Sequence, residues 1–188
     1  MTTDYDYIWK IMVCGMGGVG KTTLIHRFLY KKFLQDTRLT IGVEMHTQII
    51  PRQGRNISLV LWDLGGEERF RFIQPSYMRG ASAAFVCFDM SRYSTFTKIR
   101  AWVDLIRENS SKEIPIALIG TKVDLVASDD FTTLQKEAEA LVKELGLVCY
   151  IPTSSKWGNN VNEAILYVVD LLILQAYQHE HSSGLSKV

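Results

Sequence analysis

Eight residues near the start of the chain, Gly15-Met-Gly-Gly-Val-Gly-Lys21-Thr22, have the spacing G-x-x-x-x-G-K-[ST]. Glycines at this spacing let backbone amides curl around phosphate oxygens, and the N-terminus of a following helix adds a favourable dipole. The lysine neutralises the outer phosphates of a nucleotide, and the threonine hydroxyl ligates Mg²⁺. The segment therefore predicts a phosphate-binding loop. Its nucleotide-binding residues are Gly17, Gly18, Val19, Gly20, Lys21, Thr22 and Thr23.

A second motif, Asp63-Leu-Gly-Gly66, follows the apolar run Leu59-Val-Leu-Trp62. An acidic residue at the end of a strand can hold Mg²⁺ through water, and the Gly66 amide can bind a γ-phosphate. Taken alone, such an aspartate is more often a turn former. Downstream of a phosphate-binding loop, we interpret Asp63 as a metal residue.

Two further polar motifs follow apolar runs, at Thr121-Lys122-Val-Asp124 and at Thr153-Ser154-Ser155-Lys156. A carboxylate can accept hydrogen bonds from both N1 and N2 of guanine, whereas adenine has no such donor pair. Asp124 therefore predicts selection of guanine, and the second motif is expected to close over the same base with backbone amides. Each motif is weak alone, but their order along the chain strengthens both.

The elements that must position these motifs alternate between strands and helices. The apolar patterns predict strands at 7–15, 43–51, 56–63, 83–89, 115–121 and 147–152, and helices at 21–31, 76–79, 94–109, 132–145 and 160–178. Ser94 is the expected N-cap of one helix, and Thr132 with Gln135 the capping box of the next. Residues 52–55 predict a hairpin turn. The fold class is therefore α/β, with a six-stranded, mostly parallel sheet, one antiparallel edge strand and helices on both faces.

Composition limits the alternatives. The chain has 188 residues, 47% hydrophobic and 22% charged, with a formal net charge of +1, which suits one domain and gives no field towards nucleic acid. Cys14, Cys87 and Cys149 are scattered and predict reduced thiols. Neither end carries a signal-peptide core, a myristoylation glycine or a prenylation cysteine. We therefore expect a cytoplasmic monomer without its own lipid anchor, which either reaches membranes through a partner or works in solution.

The motifs together resemble those of Ras-superfamily small GTPases, from about Tyr7 to Gln178. Within that superfamily four stretches resemble the Rab branch most closely: Thr40-Ile-Gly-Val-Glu-Met45, Leu61-Trp62-Asp63, Glu68-Arg69-Phe70 and Ser76-Tyr77-Met78-Arg79-Gly80. The resemblance implies a P-loop NTPase fold, with a GTPase domain at 1–178 and a short polar tail at 179–188. It also implies GTP or GDP as bound nucleotide and Mg²⁺ as cofactor.

The resemblance implies further roles. Thr40, nineteen positions after Lys21, matches the switch threonine that binds Mg²⁺ and the γ-phosphate only in the GTP state, so the expected metal residues are Thr22, Thr40 and Asp63. Phe33 matches a residue that stacks against guanine. Met45, Trp62 and Tyr77 match an apolar triad that Rab proteins present to effectors, although Trp62 fits a plain core position as well. An activating protein, an exchange factor and effectors are the implied partners at the switch loops.

The chain departs from the family pattern most at Glu67, where glutamine usually orients the attacking water. A carboxylate can accept a proton from that water but cannot donate a hydrogen bond. Two unit charges about 5 Å apart also repel by about 3 kcal/mol at an effective dielectric near 20. The repulsion either moves Glu67 out of the site, which slows hydrolysis, or makes its carboxylate a stronger base. Thr121 for asparagine, and Leu64-Gly65 for Thr-Ala, are smaller departures.

The sequence therefore predicts a switch that hydrolyses GTP slowly without an activating protein, with Lys21, Gly66 and Glu67 as catalytic residues. Nucleotide contacts are expected from Phe33, Thr40, Gly66, Thr121, Lys122, Asp124, Ser154, Ser155 and Lys156 as well as from the phosphate-binding loop. No arginine for the transition state is identifiable, so one is expected from the activating protein. The alternative is a scaffold that stays loaded with GTP, and an ATPase is disfavoured by Asp124.

Overall fold

The computed structural model describes residues 5–35, 38–67, 72–110 and 113–184. Within these residues a six-stranded sheet has the order β2-β3-β1-β4-β5-β6. The strands are β1 (Tyr7–Cys14), β2 (Val43–Arg52), β3 (Arg55–Leu64), β4 (Ala83–Asp89), β5 (Ile116–Thr121) and β6 (Cys149–Pro152). The helices are α1 (Lys21–Tyr30), α2 (Gln74–Met78), α3 (Tyr93–Phe96), α4 (Ile99–Asn109), α5 (Ser128–Leu145) and α6 (Val161–Gly184).

The sheet is covered on both faces, as the alternating pattern predicts. In β1, Ile11 and Val13 pack into a core with α1 and α6. The intervening Met12 and Cys14 pack into a second core with α4 and α5. Successive side chains of a strand point to opposite faces, so one apolar run serves both cores. The predicted α/β class with helices on both faces is confirmed.

The antiparallel edge strand is also confirmed. Strand β2 pairs antiparallel with β3, whereas every other strand pair in the sheet is parallel. The hairpin between them turns at Gln53 and Gly54, which both have positive φ, 49° and 74°. Positive φ at both central residues matches the twist of the flanking strands. The turn therefore sets the register that places Met45 opposite Trp62 at the far end of the hairpin.

Two predicted helix starts were wrong. The helix predicted at 94–109 is two helices, α3 and α4, and Ser94 lies inside the first of them without capping it. The hydroxyl of the buried Thr95 accepts a hydrogen bond from the Asp89 amide at 3.0 Å and lies 2.8 Å from the Arg92 carbonyl oxygen. These local hydrogen bonds fix the backbone where α3 begins, and the apolar periodicity of the sequence gives no sign of them.

The capping box predicted at Thr132 and Gln135 is wrong because α5 begins four residues earlier, at Ser128. The Thr132 hydroxyl donates to the Ser128 carbonyl oxygen, as it would in a helix interior. Asp129 and Asp130 lie in the first turn, where carboxylates interact favourably with the helix dipole. These acidic residues therefore mark the start better than the polar residue chosen from the sequence.

Helix α6 continues to Gly184, six residues beyond the predicted end at residue 178. Residues 179–181, interpreted as part of a solvated tail, are helical, and Glu180 accepts a hydrogen bond from the Tyr7 hydroxyl at 2.8 Å. The short helix predicted at 76–79 runs from Gln74 to Met78. No helix in the described part of the chain is long and apolar enough to cross a bilayer.

Candidate nucleotide and magnesium site

The predicted motifs meet at one edge of the sheet because parallel strands end there together. The phosphate-binding loop (Gly15–Thr22) follows β1, Asp63 lies near the end of β3, and Thr121 ends β5. A cavity of about 160 Å³ opens beside the loop. It is lined by Gly17, Gly18, Gly20, Lys21, Thr22, Thr23, Arg38, Leu39, Thr40, Gly66, Glu67 and Lys122. Motifs more than 100 residues apart in sequence therefore line a single cavity.

Lys21 is buried in the phosphate-binding loop. Its Nζ atom donates to the carbonyl oxygens of Gly15 and Met16, each at 2.9 Å. Burial lowers the pKa of this lysine, and the nearby Asp63 carboxylate opposes that effect. The ammonium group is thus held at the floor of the loop, where it can interact with phosphate oxygens.

Thr121 supports the phosphate-binding loop from beneath. Its buried hydroxyl lies 2.5 Å from the Val19 carbonyl oxygen and 2.9 Å from that of Phe88. The sequence predicted a direct contact with the nucleotide base at this position. The geometry gives Thr121 a bracing contact with the loop backbone, and the base contact stays a prediction.

Asp89, at the end of β4, holds two cations against the loop. Lys122 Nζ lies 2.7 Å from Asp89 Oδ2 and donates to the Gly18 carbonyl oxygen at 2.9 Å. Arg92 Nε lies 2.8 Å from the same Oδ2 atom, and Arg92 Nη2 lies 3.4 Å from the Gly17 carbonyl oxygen. Burial alone would raise the pKa of Asp89, but hydrogen bonds from Lys122, Ser91 and Arg92 outweigh it and lower that pKa.

Sequence reasoning missed Asp89 and Arg92. An acidic residue ending the buried strand β4 was the available signal, because the carboxyl ends of β1 and β4 are neighbours in the sheet. The same signal had been used for Asp63. Arg92 carries no such signal, since it depends on how α3 packs.

The three predicted metal residues are in contact. Thr22 Oγ1 donates to Asp63 Oδ2 at 2.5 Å, and Thr40 Oγ1 lies 2.9 Å from Thr22 Oγ1 and 3.3 Å from Asp63 Oδ2. Asp63 Oδ1 is buried and has no hydrogen-bond partner among the described residues, and burial raises the pKa of this carboxyl group. A buried, incompletely bonded carboxylate among hydroxyl oxygens fits a hard cation such as Mg²⁺.

No group of three or more His, Cys, Asp or Glu side chains within the described ranges could hold a metal. Mg²⁺ is commonly held by one or two carboxylates together with substrate phosphates and water, and the set of Asp63 with two threonine hydroxyls has that composition. Thr22, Thr40 and Asp63 are therefore the residues that fit the ion.

Gly65 and Gly66 allow three segments to approach closely. A Cβ atom on Gly66 would lie 2.2 Å from the Gly15 carbonyl oxygen, and the Gly66 carbonyl oxygen accepts the Gly17 amide at 3.1 Å. A Cβ atom on Gly65 would lie 2.5 Å from the Thr40 carbonyl oxygen. The Gly-for-Ala departure at position 65 therefore fits a Thr40 backbone that lies unusually near this turn.

Glu67 lies between two cavities. It lines the cavity beside the phosphate-binding loop and a second one of about 150 Å³ lined by Met16, Gly66, Gln74, Lys98, Ala101, Trp102 and Leu105. A Cβ atom on Gly17 would lie 3.7 Å from Glu67 Cγ, so the Glu67 side chain rests against the loop. The neighbouring Rab-like stretch, residues 68–70, lies outside the described residues.

The predicted base-binding motifs also meet. Ser154 Oγ donates to Asp124 Oδ1 at 2.6 Å, and the Val123 amide donates to the Thr153 carbonyl oxygen at 3.1 Å. Ser155 is buried, whereas Lys156 is exposed and its Nζ atom lies 5.0 Å from the centre of the Trp157 ring. Phe33 is 40% exposed, and neither Phe33 nor Lys156 lines the cavity beside the phosphate-binding loop.

The predicted apolar triad is contiguous. Met45 is 60% exposed and lies opposite Trp62 in the hairpin. Trp62 and Tyr77 are partly buried, with ring centres 6.0 Å apart. Lys10 Nζ lies 3.7 Å from the centre of the Trp62 ring. Trp62 is therefore not a plain core residue, and the three side chains form one apolar surface.

Comparison with known proteins agrees with this arrangement. A family model described as "Ras family" matches residues 10–173. Ras-related protein Rab-4B from Homo sapiens is 37% identical over 166 residues, which cover 88% of this chain and 76% of that protein. Ras-related protein Rab-4A from Rattus norvegicus is 38% identical over 166 residues, covering 88% and 75%. The chain therefore belongs to the Ras family, as a Ras-superfamily GTPase near the Rab branch.

Proposed function

We propose that this chain is a molecular switch that binds GTP and GDP with Mg²⁺, hydrolyses GTP, and presents its switch loops to effectors in the GTP state. The observation that carries this proposal is the contact among Thr22, Thr40 and Asp63 beside the buried Lys21. A hard-oxygen cluster next to a held ammonium suits a nucleotide phosphate with its metal ion.

In the reaction, the oxygen of a water molecule forms a bond to the γ-phosphorus while the bond to the β,γ-bridging oxygen breaks. The bridging oxygen leaves with the electron pair as part of GDP, and the proton of the water ends on inorganic phosphate. Thr22, Thr40 and Asp63 would hold Mg²⁺, and the ion would supply stabilisation of the negative charge on the phosphates. Lys21 and the Gly66 amide add positive potential where charge develops, so catalysis is chiefly positioning and electrostatic stabilisation.

Glu67 lies where a residue can act on the attacking water, because it lines the phosphate cavity against Gly17. It can accept a proton but cannot donate a hydrogen bond to the transition state. We therefore expect slow hydrolysis in the absence of an activating protein.

The base half of the site favours guanine. The Ser154 hydroxyl donates a hydrogen bond to the Asp124 carboxylate, and this bond orients the carboxylate beside the loop that follows β6. Lys122 adds a cation that contacts both Asp89 and the loop carbonyl of Gly18. We propose Phe33, Ser155 and Lys156 as further base-side contacts.

The partners we propose are an activating protein, an exchange factor and effectors that recognise the switch loops. The surface formed by Met45, Trp62 and Tyr77 is apolar beside those loops, and such surfaces commonly bind partners. The three cysteines are free, and burial raises the pKa of Cys14 to about 12, which fits unreactive thiols in the cytoplasm.

A GTP-loaded scaffold is the second candidate, and Glu67 is the observation that favours it. The two are separated by loading the magnesium-bound protein with GTP and measuring single-turnover hydrolysis, in parallel with Glu67→Gln. A switch cleaves GTP measurably and the variant changes its rate. Intact GTP in the wild type, with cleavage by the variant, would identify the scaffold. Nucleotide released from the freshly purified protein gives an independent check, because a switch retains mostly GDP and a scaffold retains GTP.

A further inference from the structure

Arg38 lines the cavity beside the phosphate-binding loop, two residues before Thr40. The same cavity is lined by Gly17, Lys21 and Glu67. Arg38 is exposed, and no hydrogen bond or ion pair joins its guanidinium group to a residue in the described part of the chain. An arginine therefore lies on one wall of the cavity in which we propose that the γ-phosphate binds, in the part of that wall formed by residues 38–40.

The other cations of this cavity already contact protein acceptors. Lys21 Nζ donates to two loop carbonyl oxygens, and Lys122 Nζ contacts Asp89 and the Gly18 carbonyl oxygen. Among the described residues that line the cavity, Arg38 is the cation whose donors have no such acceptor. Its five N–H donors in a planar fork suit phosphate oxygens and carboxylates.

A cation on the wall of this cavity would offset the effect of having glutamate at position 67. The Glu67 carboxylate lines the same cavity and repels a γ-phosphate, and it lacks the amide donor of a glutamine. A guanidinium group on the wall of the same cavity has enough N–H donors to serve a phosphate oxygen and the carboxylate at once. It would reduce the repulsion and restore the missing donor.

We propose that Arg38 is a catalytic residue that contacts the transferred phosphoryl group in cis. The proposal rests on the function proposed above. As the bond from the γ-phosphorus to the bridging oxygen breaks and water adds, Arg38 stabilises the charge on the phosphoryl and bridging oxygens. No activator arginine is then needed for basal hydrolysis, although the exposed Arg38 side chain must become ordered to act, which keeps the basal rate slow.

The test uses the full chain loaded with GTP and Mg²⁺, with no partner protein. Arg38→Ala is expected to slow single-turnover hydrolysis about 30-fold, which is roughly the rate difference between GTPases with and without an arginine in cis. Arg38→Lys is expected to recover only part of that loss, because an ammonium group lacks the planar fork. Lys32→Ala is the matched control, since it removes an exposed cation that does not line the cavity.

A binding measurement separates catalysis from general damage. With GDP, Mg²⁺ and fluoroaluminate, ¹⁹F NMR is expected to show bound fluoride for the wild type and the Lys32→Ala control. The signal should be lost for Arg38→Ala, while the dissociation constant for GDP stays within twofold of the wild-type value and the midpoint of urea denaturation does not change. Added guanidinium chloride at millimolar concentration should restore part of the Arg38→Ala rate.

The outcomes also separate this proposal from the one on which it rests. Absence of guanine-nucleotide binding by the wild type would overturn both. Wild-type hydrolysis that Arg38→Ala leaves unchanged, with fluoroaluminate still bound, would overturn the role of Arg38 and leave the GTPase proposal standing. Wild-type binding without hydrolysis would overturn catalysis by Arg38 and favour the scaffold.

Discussion

The phosphate-binding loop and the switch segment, residues 38–42, face each other across one cavity but are held very differently. Five consecutive loop carbonyls, from residue 15 to residue 19, each lie within hydrogen-bonding distance of a side chain, supplied by Lys21, Arg92, Lys122 or Thr121. In the switch segment, Leu39 is 54% exposed and Ile41 is 72% exposed. Its described bonds are those of the Thr40 hydroxyl and the Gly42 carbonyl oxygen, which accepts the Gly65 amide at 2.8 Å.

This difference in bonding suits the two regions to different roles: the loop to binding phosphate, and the switch segment to changing conformation. A loop whose carbonyl oxygens contact hydrogen-bond donors has its amides already oriented, so ligand binding costs little conformational entropy there. A segment with few bonds and exposed apolar side chains can change conformation at small cost when a γ-phosphate is lost. The predictions below disturb one region or the other, in order of decreasing effect.

Gly66→Ala should have the largest effect because Gly66 lies directly against the backbone of the phosphate-binding loop. Its Cβ atom would lie 2.2–2.5 Å from backbone atoms of residues 15–17, which cannot give way as a flexible side chain can. We expect a loss of about 3 kcal/mol in the free energy of unfolding and loss of GTP hydrolysis. Urea denaturation and single-turnover assays measure the two effects.

Gly17→Ala serves as the steric control for stability. The nearest contacts of a Cβ atom at Gly17 are 3.7 Å away, which is ordinary van der Waals distance. Its free energy of unfolding should stay within about 0.5 kcal/mol of the wild type. Equal stability losses in the two variants would show that the close approach at Gly66 is not the cause.

Thr121→Val tests the held region. The substitution keeps the shape of the side chain but leaves the buried Val19 carbonyl oxygen without the Thr121 hydroxyl. We expect a loss of about 1–2 kcal/mol in the free energy of unfolding of the nucleotide-free protein. If the apoprotein is unchanged and only nucleotide affinity falls, Thr121 is a base contact, as the sequence suggested, and not a brace.

Thr40→Val tests the loosely held region. The Thr40 hydroxyl contacts Thr22 and Asp63 but belongs to an exposed segment, so its removal should change stability by less than about 0.5 kcal/mol. The ratio of GDP to GTP dissociation constants should fall about tenfold, because one metal and γ-phosphate contact is lost only from the GTP state. Competition binding with both nucleotides measures the ratio. An equal loss of affinity for both would contradict a switch role.

Arg52→Ala should have the smallest effect. The ion pair from Arg52 to Asp170, 2.6 Å between Nη2 and Oδ2, ties the turn end of the hairpin to α6. Both side chains are about one-third exposed, so we expect about 0.5 kcal/mol or less. Hydrolysis should not change, because the switch segment joins the other end of β2.

The pH dependence of that effect has a definite sign. Hydrogen bonding from Arg52 lowers the pKa of Asp170 below its usual value of 3.8, so the pair stabilises the folded state above about pH 4. The contribution is lost as the pH falls through the lowered pKa of the folded state. The difference between wild type and Arg52→Ala in urea should therefore shrink between pH 7 and pH 3. Lys136→Ala, an exposed cation on α5, should show no such change.

Much of the fold was predictable because its signals are local. Apolar runs bounded by glycine or proline placed all six strands, and the residues at the turn of the hairpin indicated its antiparallel pairing. Helix starts were less predictable. Ser94 and Thr132 show why: each has the chemistry of an N-cap, but α3 begins at Tyr93 and α5 at Ser128, and neither start has a side-chain capping hydrogen bond.

The sequence by itself determined the phosphate-binding loop. It also determined that Thr22, Asp63 and Thr121 lie at one edge of the sheet, because the carboxyl ends of parallel strands meet at the same edge. Only the tertiary structure decided what each side chain contacts there. Thr121 braces the loop, Asp89 holds Arg92 and Lys122, and Glu67 separates two cavities with Arg38 on one wall. Spacing along a chain reports local geometry. The partner of a side chain depends on how helices and loops far away in sequence pack against it.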